Sequence, residues 1–234
     1  MPGLFVTGTD TDVGKTFVCA RLIEMLIGAG LNVAAMKPVA SGAKNEAGIL
    51  KNADAQTLIN AANITADYNI VNPFVFEPAI APHLAAASVG IKIDLKIIKE
   101  SYLTLAALSD VVVVEGAGGW YTPLDMETTM ASMAENLALP VVIVVGMRLG
   151  CLNHALLTVQ AVQRSGLPVA GWIANHVEKD FSFAEENIAT LKHFLKEIPF
   201  IGSVAYQAAT EAASGSVDQL THHLNKQILI NILK

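Results

Sequence analysis

The sequence predicts an α/β fold of the doubly wound kind, a mostly parallel sheet with helices on both faces, and two observations carry that expectation. Short runs rich in Val and Ile recur between longer segments of helical periodicity, and these runs are continuously apolar instead of alternating. Strands read this way when crossover helices cover both faces of a parallel sheet. With 53% apolar and 15% charged residues among 234, the chain can bury a sizeable core, so a single domain over residues 1–234 is expected.

The strands are expected at residues 4–7, 33–38, 111–115, 141–145, 169–175 and 200–205, and the helices at 15–28, 53–62, 95–107, 129–137, 152–165 and 183–195. Gly28, Gly30 and Gly166, with Pro140 and Pro168, fall just ahead of strands, where a glycine cap or a helix-stopping proline belongs. The stretch 69–93 holds Pro73, Pro78 and Pro82, which break it into short pieces and predict a long ordered loop. Loops at the carboxyl ends of strands build the ligand crevice of such a sheet, so this excursion is expected on the substrate side. The C-terminal stretch 220–228 is weakly amphipathic and is expected to pack on the domain.

Composition excludes several function classes. A net charge of −6 without any run of Lys or Arg leaves no track for a nucleic-acid backbone, which points to a small-molecule substrate. Cys19 and Cys151 stand alone, without CxxC or His spacing, and read as buried small apolar residues. The six histidines form no HExxH or other ligand pattern. The longest apolar stretch, at 137–147, falls short of the roughly 20 residues of a membrane span. The N-terminus lacks a basic region and runs at once into the first motif, so neither a leader nor a membrane anchor is expected, and the expected location is the cytoplasm.

That motif is Gly8-Thr9-Asp10-Thr11-Asp12-Val13-Gly14-Lys15-Thr16, set between the first strand and the first helix. This is the context of a phosphate-binding loop, or P-loop: backbone N–H groups and the helix N-terminus cradle phosphates, Lys15 neutralises β/γ charge, and Thr16 offers a hydroxyl to Mg2+. The loop is one residue longer than GxxxxGK(S/T), and the bland alternative is an ordinary glycine turn before a helix. A second element is Glu115-Gly116-Ala117-Gly118-Gly119-Trp120 at the end of a strand, where a carboxylate suits Mg2+ and the glycines let backbone amides approach an anion. A third is Lys37-Pro38-Val39-Ala40-Ser41-Gly42, a strand-end lysine able to stabilise a transferring phosphoryl group, with Ser41 available to an acceptor. Asp54, at a helix start, reads by itself as a cap.

Taken in this order, Gly8 to Thr16, Lys37 to Gly42, Asp54 and Glu115 to Trp120 resemble the dethiobiotin synthetase family over nearly the whole chain, including the lengthened phosphate loop. The resemblance implies a ligase that joins CO2 to 7,8-diaminopelargonate at the expense of ATP, by way of a carbamate and a carbamic-phosphoric mixed anhydride. It implies Mg2+ held by Thr16, Asp54 and Glu115, which replaces the cap reading of Asp54. Lys15, Lys37 and Thr11 become the catalytic set. The nucleotide falls to Asp12, Val13, Gly14, Lys15, Thr16 and Phe17, to Glu115, Gly116, Ala117 and Gly118, and on the base side to Asn175, His176, Val204, Ala205, Tyr206 and Glu211. The diamine end falls to Thr11, Lys37, Ser41 and Gly118. The family is homodimeric, and Gly150, Cys151, Leu152 and Asn153 correspond to the segment that binds the substrate carboxylate across the interface. At 202–206 the chain lacks the proline usual in the family.

A second reading is a P-loop ATPase switch of the partition or septum-placement kind. Such proteins carry an extra lysine early in the phosphate loop, where this chain has Thr9-Asp10-Thr11, and often a surface for membrane or DNA. An amide-forming ligase of the cobyrinate type would need a glutaminase domain, for which no length remains.

Overall fold

In the computed structural model, which describes residues 3–206 and 224–233, all six expected strands are present and parallel. They are β1 (Gly3–Gly8), β2 (Val33–Met36), β7 (Val111–Gly119), β8 (Val141–Met147), β9 (Val169–His176) and β10 (Phe200–Val204), arranged in the order β10-β9-β8-β1-β7-β2. From β1 the chain runs outward to β2; from β7 it crosses back past β1 to β8. The winding direction therefore reverses beside β1, and a crevice opens at the carboxyl ends of the strands there.

Successive side chains of each strand enter opposite helical layers, which is why the strand sequences are apolar throughout. Leu4, Val6, Val111, Val113, Val142 and Val144 pack with α1 (Lys15–Ile27) and α9 (Lys226–Ile232); Phe5, Val112, Val114, Ile143 and Val145 pack beneath α5 (Leu95–Leu108), α6 (Met130–Leu137), α7 (Cys151–Arg164) and α8 (Ala184–Phe194). Leu229 anchors α9 in the first layer, with Leu224 and Ile228 packed against it; residues 220–223 of the stretch expected to pack on the domain lie outside the described residues. Among the described residues no helix is long and apolar enough to cross a membrane.

Helix ends are fixed by local chemistry. Asn52 accepts from the amides of Asp54 and Ala55 and so caps α2 (Ala53–Ala61). Asp54 is thus not the cap of this helix, and its carboxylate is free for other work. Thr129 and Ser132 form a capping box on α6.

The segment 69–93 differs from the expected loop. It contains β6 (Phe74–Val75) and α4 (Pro82–Ser88), preceded by the single turn α3 (Tyr68–Val71). Pro82 opens α4 instead of breaking it, because a fixed φ and a missing N–H cost nothing at the first helical position. β6 pairs in parallel with the short β3 (Val39–Ala40), and a hairpin of β4 (Lys44–Glu46) and β5 (Ile49–Lys51) follows β3. Ala79, Ile80, Ala81 and Pro82 of this segment line the crevice at the carboxyl ends of the strands.

Trp172, fully buried on β9, packs on Phe200 with ring centroids 4.4 Å apart. Trp172→Ala is expected to lower unfolding free energy by about 3–5 kcal/mol in urea titration; a loss below about 1 kcal/mol would mean that the layer collapses around the gap.

Candidate active site

The phosphate loop leaves β1 at Gly8 and turns into α1 through Gly14, whose φ of 79° is left-handed. Its extra residue is accommodated from below. Val13 is fully buried and fills the space between Gly8 and Gly146: a Cβ on Gly8 would lie 2.5 Å from a Val13 methyl, and one on Gly146 would lie 2.9 Å from the other. Asn175 on β9 donates through Nδ2 to the Val13 carbonyl at 2.8 Å and lies so close to Gly14 that any Cβ there would strike its amide. Lys15 is buried, its ammonium turned onto the Asp10 carbonyl at 3.0 Å. Burial, then the neighbouring Lys37 cation, hold its pKa below the usual lysine range.

Beside the loop lies a charge cluster assembled from four elements, buried at Lys37 and Glu115 and half-exposed at Asp54. Met36 pairs with Val114, so the residues that follow, Lys37 and Glu115, come off neighbouring strands side by side. The Lys37 ammonium contacts Glu115 Oε1 at 2.5 Å and, from α2, Asp54 Oδ2 at 3.1 Å; Thr16 at the start of α1 donates its hydroxyl to the same Glu115 oxygen at 2.9 Å. Burial alone would depress the Lys37 pKa, but the Glu115 and Asp54 carboxylates outweigh it and raise it above the ordinary value. Burial raises Glu115, with Lys37 opposing, while Asp54 is held low by Lys37 despite its own desolvation. Cys19 lies below the cluster, and burial followed by the Glu115 charge pushes its thiol well up, so it stays protonated.

The set Thr16, Asp54 and Glu115 fits a hard divalent cation. All donors are oxygens, two are carboxylates, and Glu115 Oε2 is buried without any hydrogen-bond partner. Among the described residues no group of three or more His, Cys, Asp or Glu side chains gathers as a metal site.

These groups open onto a crevice of about 990 Å³ whose walls include Thr11, Asp12, Gly14, Lys15, Thr16, Phe17, Lys37, Ser41, Asp54, Glu115, Ala117 and Gly118. Gly116 sits just below, its backbone against Phe5. Gly118 has a φ of 64°, and a Cβ there would strike the Thr122 hydroxyl, which accepts from the Gly119 amide at 2.9 Å. On the other side of Gly14, a cleft of about 260 Å³ is lined by Asp12, Phe17, Asn175, His176, Ala205 and Tyr206. Val204 does not reach this cleft: it is buried in β10. Glu211 lies outside the described residues.

Gly150, Cys151, Leu152 and Asn153 open α7 at the carboxyl end of β8 and do not line the crevice of their own chain. Cys151 is buried, whereas Leu149 just before it is 93% exposed.

Several contributors escape the sequence motifs. Asn72 donates to the Lys37 carbonyl and is itself engaged by the Tyr68 hydroxyl, which locks the backbone beneath the lysine. Asn52 donates to the Ser41 carbonyl as well as capping α2. Asn52 was within reach of the sequence as an Asn directly before an expected helix; Tyr68 and Asn72, which lie 31 and 35 residues beyond Lys37, carry no spacing signal.

A sequence model described as an AAA domain, AAA_26, matches residues 2–214. Among solved structures, the chain resembles a McdA from Cyanthece in its apo form, with TM-score 0.59 and 13% identity over 100% of both chains. It resembles the MinC:MinD cell division protein complex of Aquifex aeolicus, with TM-score 0.53 and 14% identity over 88% of this chain and 82% of the other. It also resembles the cell division protein FtsY of Thermotoga maritima, with TM-score 0.52 and 15% identity over 100% of this chain and 68% of the other. At such identities the likeness shows the fold, an α/β P-loop fold, and none of these three is a dethiobiotin synthetase.

Gly14→Ala is expected to weaken ATP binding at least roughly tenfold by calorimetry, because the left-handed backbone and the Asn175 amide both exclude a methyl group. Unchanged affinity would show that Gly14 is no part of a phosphate cradle.

Proposed function

The chain belongs to the AAA-domain family of P-loop nucleotide-binding proteins, and from that premise we propose that it is an ATP-dependent ligase of the dethiobiotin synthetase kind, converting 7,8-diaminopelargonate and CO2 into dethiobiotin, ADP and phosphate. One observation carries the reading: a second buried cation, Lys37, stands in the crevice beside the phosphate-loop lysine. Hydrolysis by a positioned water does not call for a buried ammonium held at an acceptor site, whereas an anionic carbamate acceptor does.

In this reading one substrate amine adds CO2 and loses a proton to become a carbamate. A carbamate oxygen takes the γ-phosphoryl group, ADP departs, and the neighbouring amine attacks the carbonyl carbon as the carbon–oxygen bond to phosphate breaks. The second amine loses its proton and a cyclic urea remains. Lys15 and Lys37 stabilise the charge that spreads over phosphoryl and carbamate oxygens, while Thr11, Ser41 and the backbone at Gly118 orient the diamine. Thr16, Asp54 and Glu115 would hold Mg2+, which supplies charge neutralisation at the β- and γ-phosphates when bound. The cleft beside Asn175, His176, Ala205 and Tyr206 takes the base. Catalysis by positioning and electrostatics suffices, and no side chain forms a covalent intermediate.

A homodimer belongs to the same reading. In that dimer the α7 start, which follows the exposed Leu149, would offer backbone amides to the carboxylate of a substrate held by a second copy.

The switch reading also has support, and on the comparisons alone it is the nearer one: the solved neighbours carry names of cell-division proteins. Against it, the early-loop position that would hold a signature lysine is occupied by Thr9-Asp10-Thr11. Phosphate release with ATP, Mg2+ and bicarbonate separates the two. The synthetase reading expects turnover that depends on the diamine and a product with the mass of dethiobiotin; diamine-independent hydrolysis without a cyclic urea would leave the switch. Lys37→Met is expected to lower kcat by roughly a hundredfold or more while ATP affinity changes far less. Equal losses in both would assign Lys37 to nucleotide binding instead.

A further inference from the structure

Arg148 is the first residue after β8 and belongs to no motif. Its guanidinium Nη2 donates to Asp10 Oδ2 at 2.7 Å, joining two positions 138 residues apart. Asp10 is the hub of the lengthened phosphate loop. Its other carboxylate oxygen accepts from the Thr11 amide at 2.8 Å, and its carbonyl accepts from the Lys15 ammonium at 3.0 Å.

We propose that Arg148 is a positioning residue for nucleotide binding, acting through Asp10 to hold the phosphate loop in its binding shape. The loop needs such a tether. It is one residue longer than the common form, and Asp12 sits at a left-handed φ of 57°, a conformation that persists in a non-glycine residue when the surroundings enforce it. Val13 secures the loop from below and Asn175 from the α1 side; at the outer turn Arg148 is the tether. Arg148 does not line the crevice, so the group acts on Asp10 and not on phosphate. The pair is partly exposed, at 32% for Arg148 and 47% for Asp10, and contributes little to global stability. Its effect falls on the ordering that nucleotide binding must otherwise supply. The inference rests on the chain being a P-loop nucleotide binder and holds whether the acceptor is a carbamate or water.

ATP affinity, measured by calorimetry on the full chain with Mg2+, tests the pair without any diamine, so a failure of the ligase reading leaves this result standing. Arg148→Met and Asp10→Ala are each expected to weaken ATP binding about tenfold, and the double variant to lose no more than either alone. Arg148→Lys should recover part of the loss, and the nucleotide-free melting temperature should stay within about 2 °C of the parent in all four. Affinity unchanged in Arg148→Met, or losses that multiply in the double variant, would overturn the proposal; so would a melting temperature that falls in step with affinity.

Discussion

A buried ammonium must be matched by anions, and Lys37 sets that constraint on the whole crevice. An unpaired ammonium at this depth would cost several kcal/mol, so the fold brings Glu115 to it from the adjacent strand and Asp54 from α2, and Thr16 closes the group from α1. Four elements that share no sequence proximity are thereby tied to one point, just past the end of β2 and midway along β7. The β2–β7 register, with Met36 against Val114, is what makes the pairing possible. A one-residue slip would turn Lys37 or Glu115 into a helical layer of the core.

The same cluster explains why the surroundings of Lys37 are so heavily bonded. Its carbonyl accepts from Asn72 and its amide donates to the Val71 carbonyl at 2.9 Å, so that α3 and β6 serve as a brace. On the far side the phosphate loop is braced in its own way, by Val13 wedged between two glycines and by Asn175. The crevice is therefore braced by hydrogen bonds and packing on both flanks.

The central sheet was legible because its signal is local: continuously apolar strands, glycine-marked helix ends and a strand-loop-helix motif all lie within short windows. Proline in the 69–93 segment misled, since Pro82 looks like a breaker in isolation and becomes an N-terminal residue only once the start of α4 is known. Lys37, Asp54 and Glu115 were reachable as candidates from their places at element ends. What brings them together is the strand order, which no window contains. Gly146 and Arg148 were missed for the same reason: each matters through a contact with the phosphate loop more than a hundred residues away in sequence. Of the residues expected on the base side, Asn175, His176, Ala205 and Tyr206 line one cleft beside Gly14, whereas Val204 is turned into the sheet.

Shared fold does not decide between a ligase and a switch, because both are built on the same sheet and the same loop. The difference is the atom that receives the γ-phosphoryl group. The most direct measurement is the fate of oxygen from heavy-oxygen-labelled bicarbonate, followed by mass analysis of the phosphate released in ordinary water with the diamine present. If Lys37 holds a carbamate acceptor, each phosphate carries one labelled oxygen derived from bicarbonate. Phosphate free of label, its new oxygen drawn from water, would contradict the account.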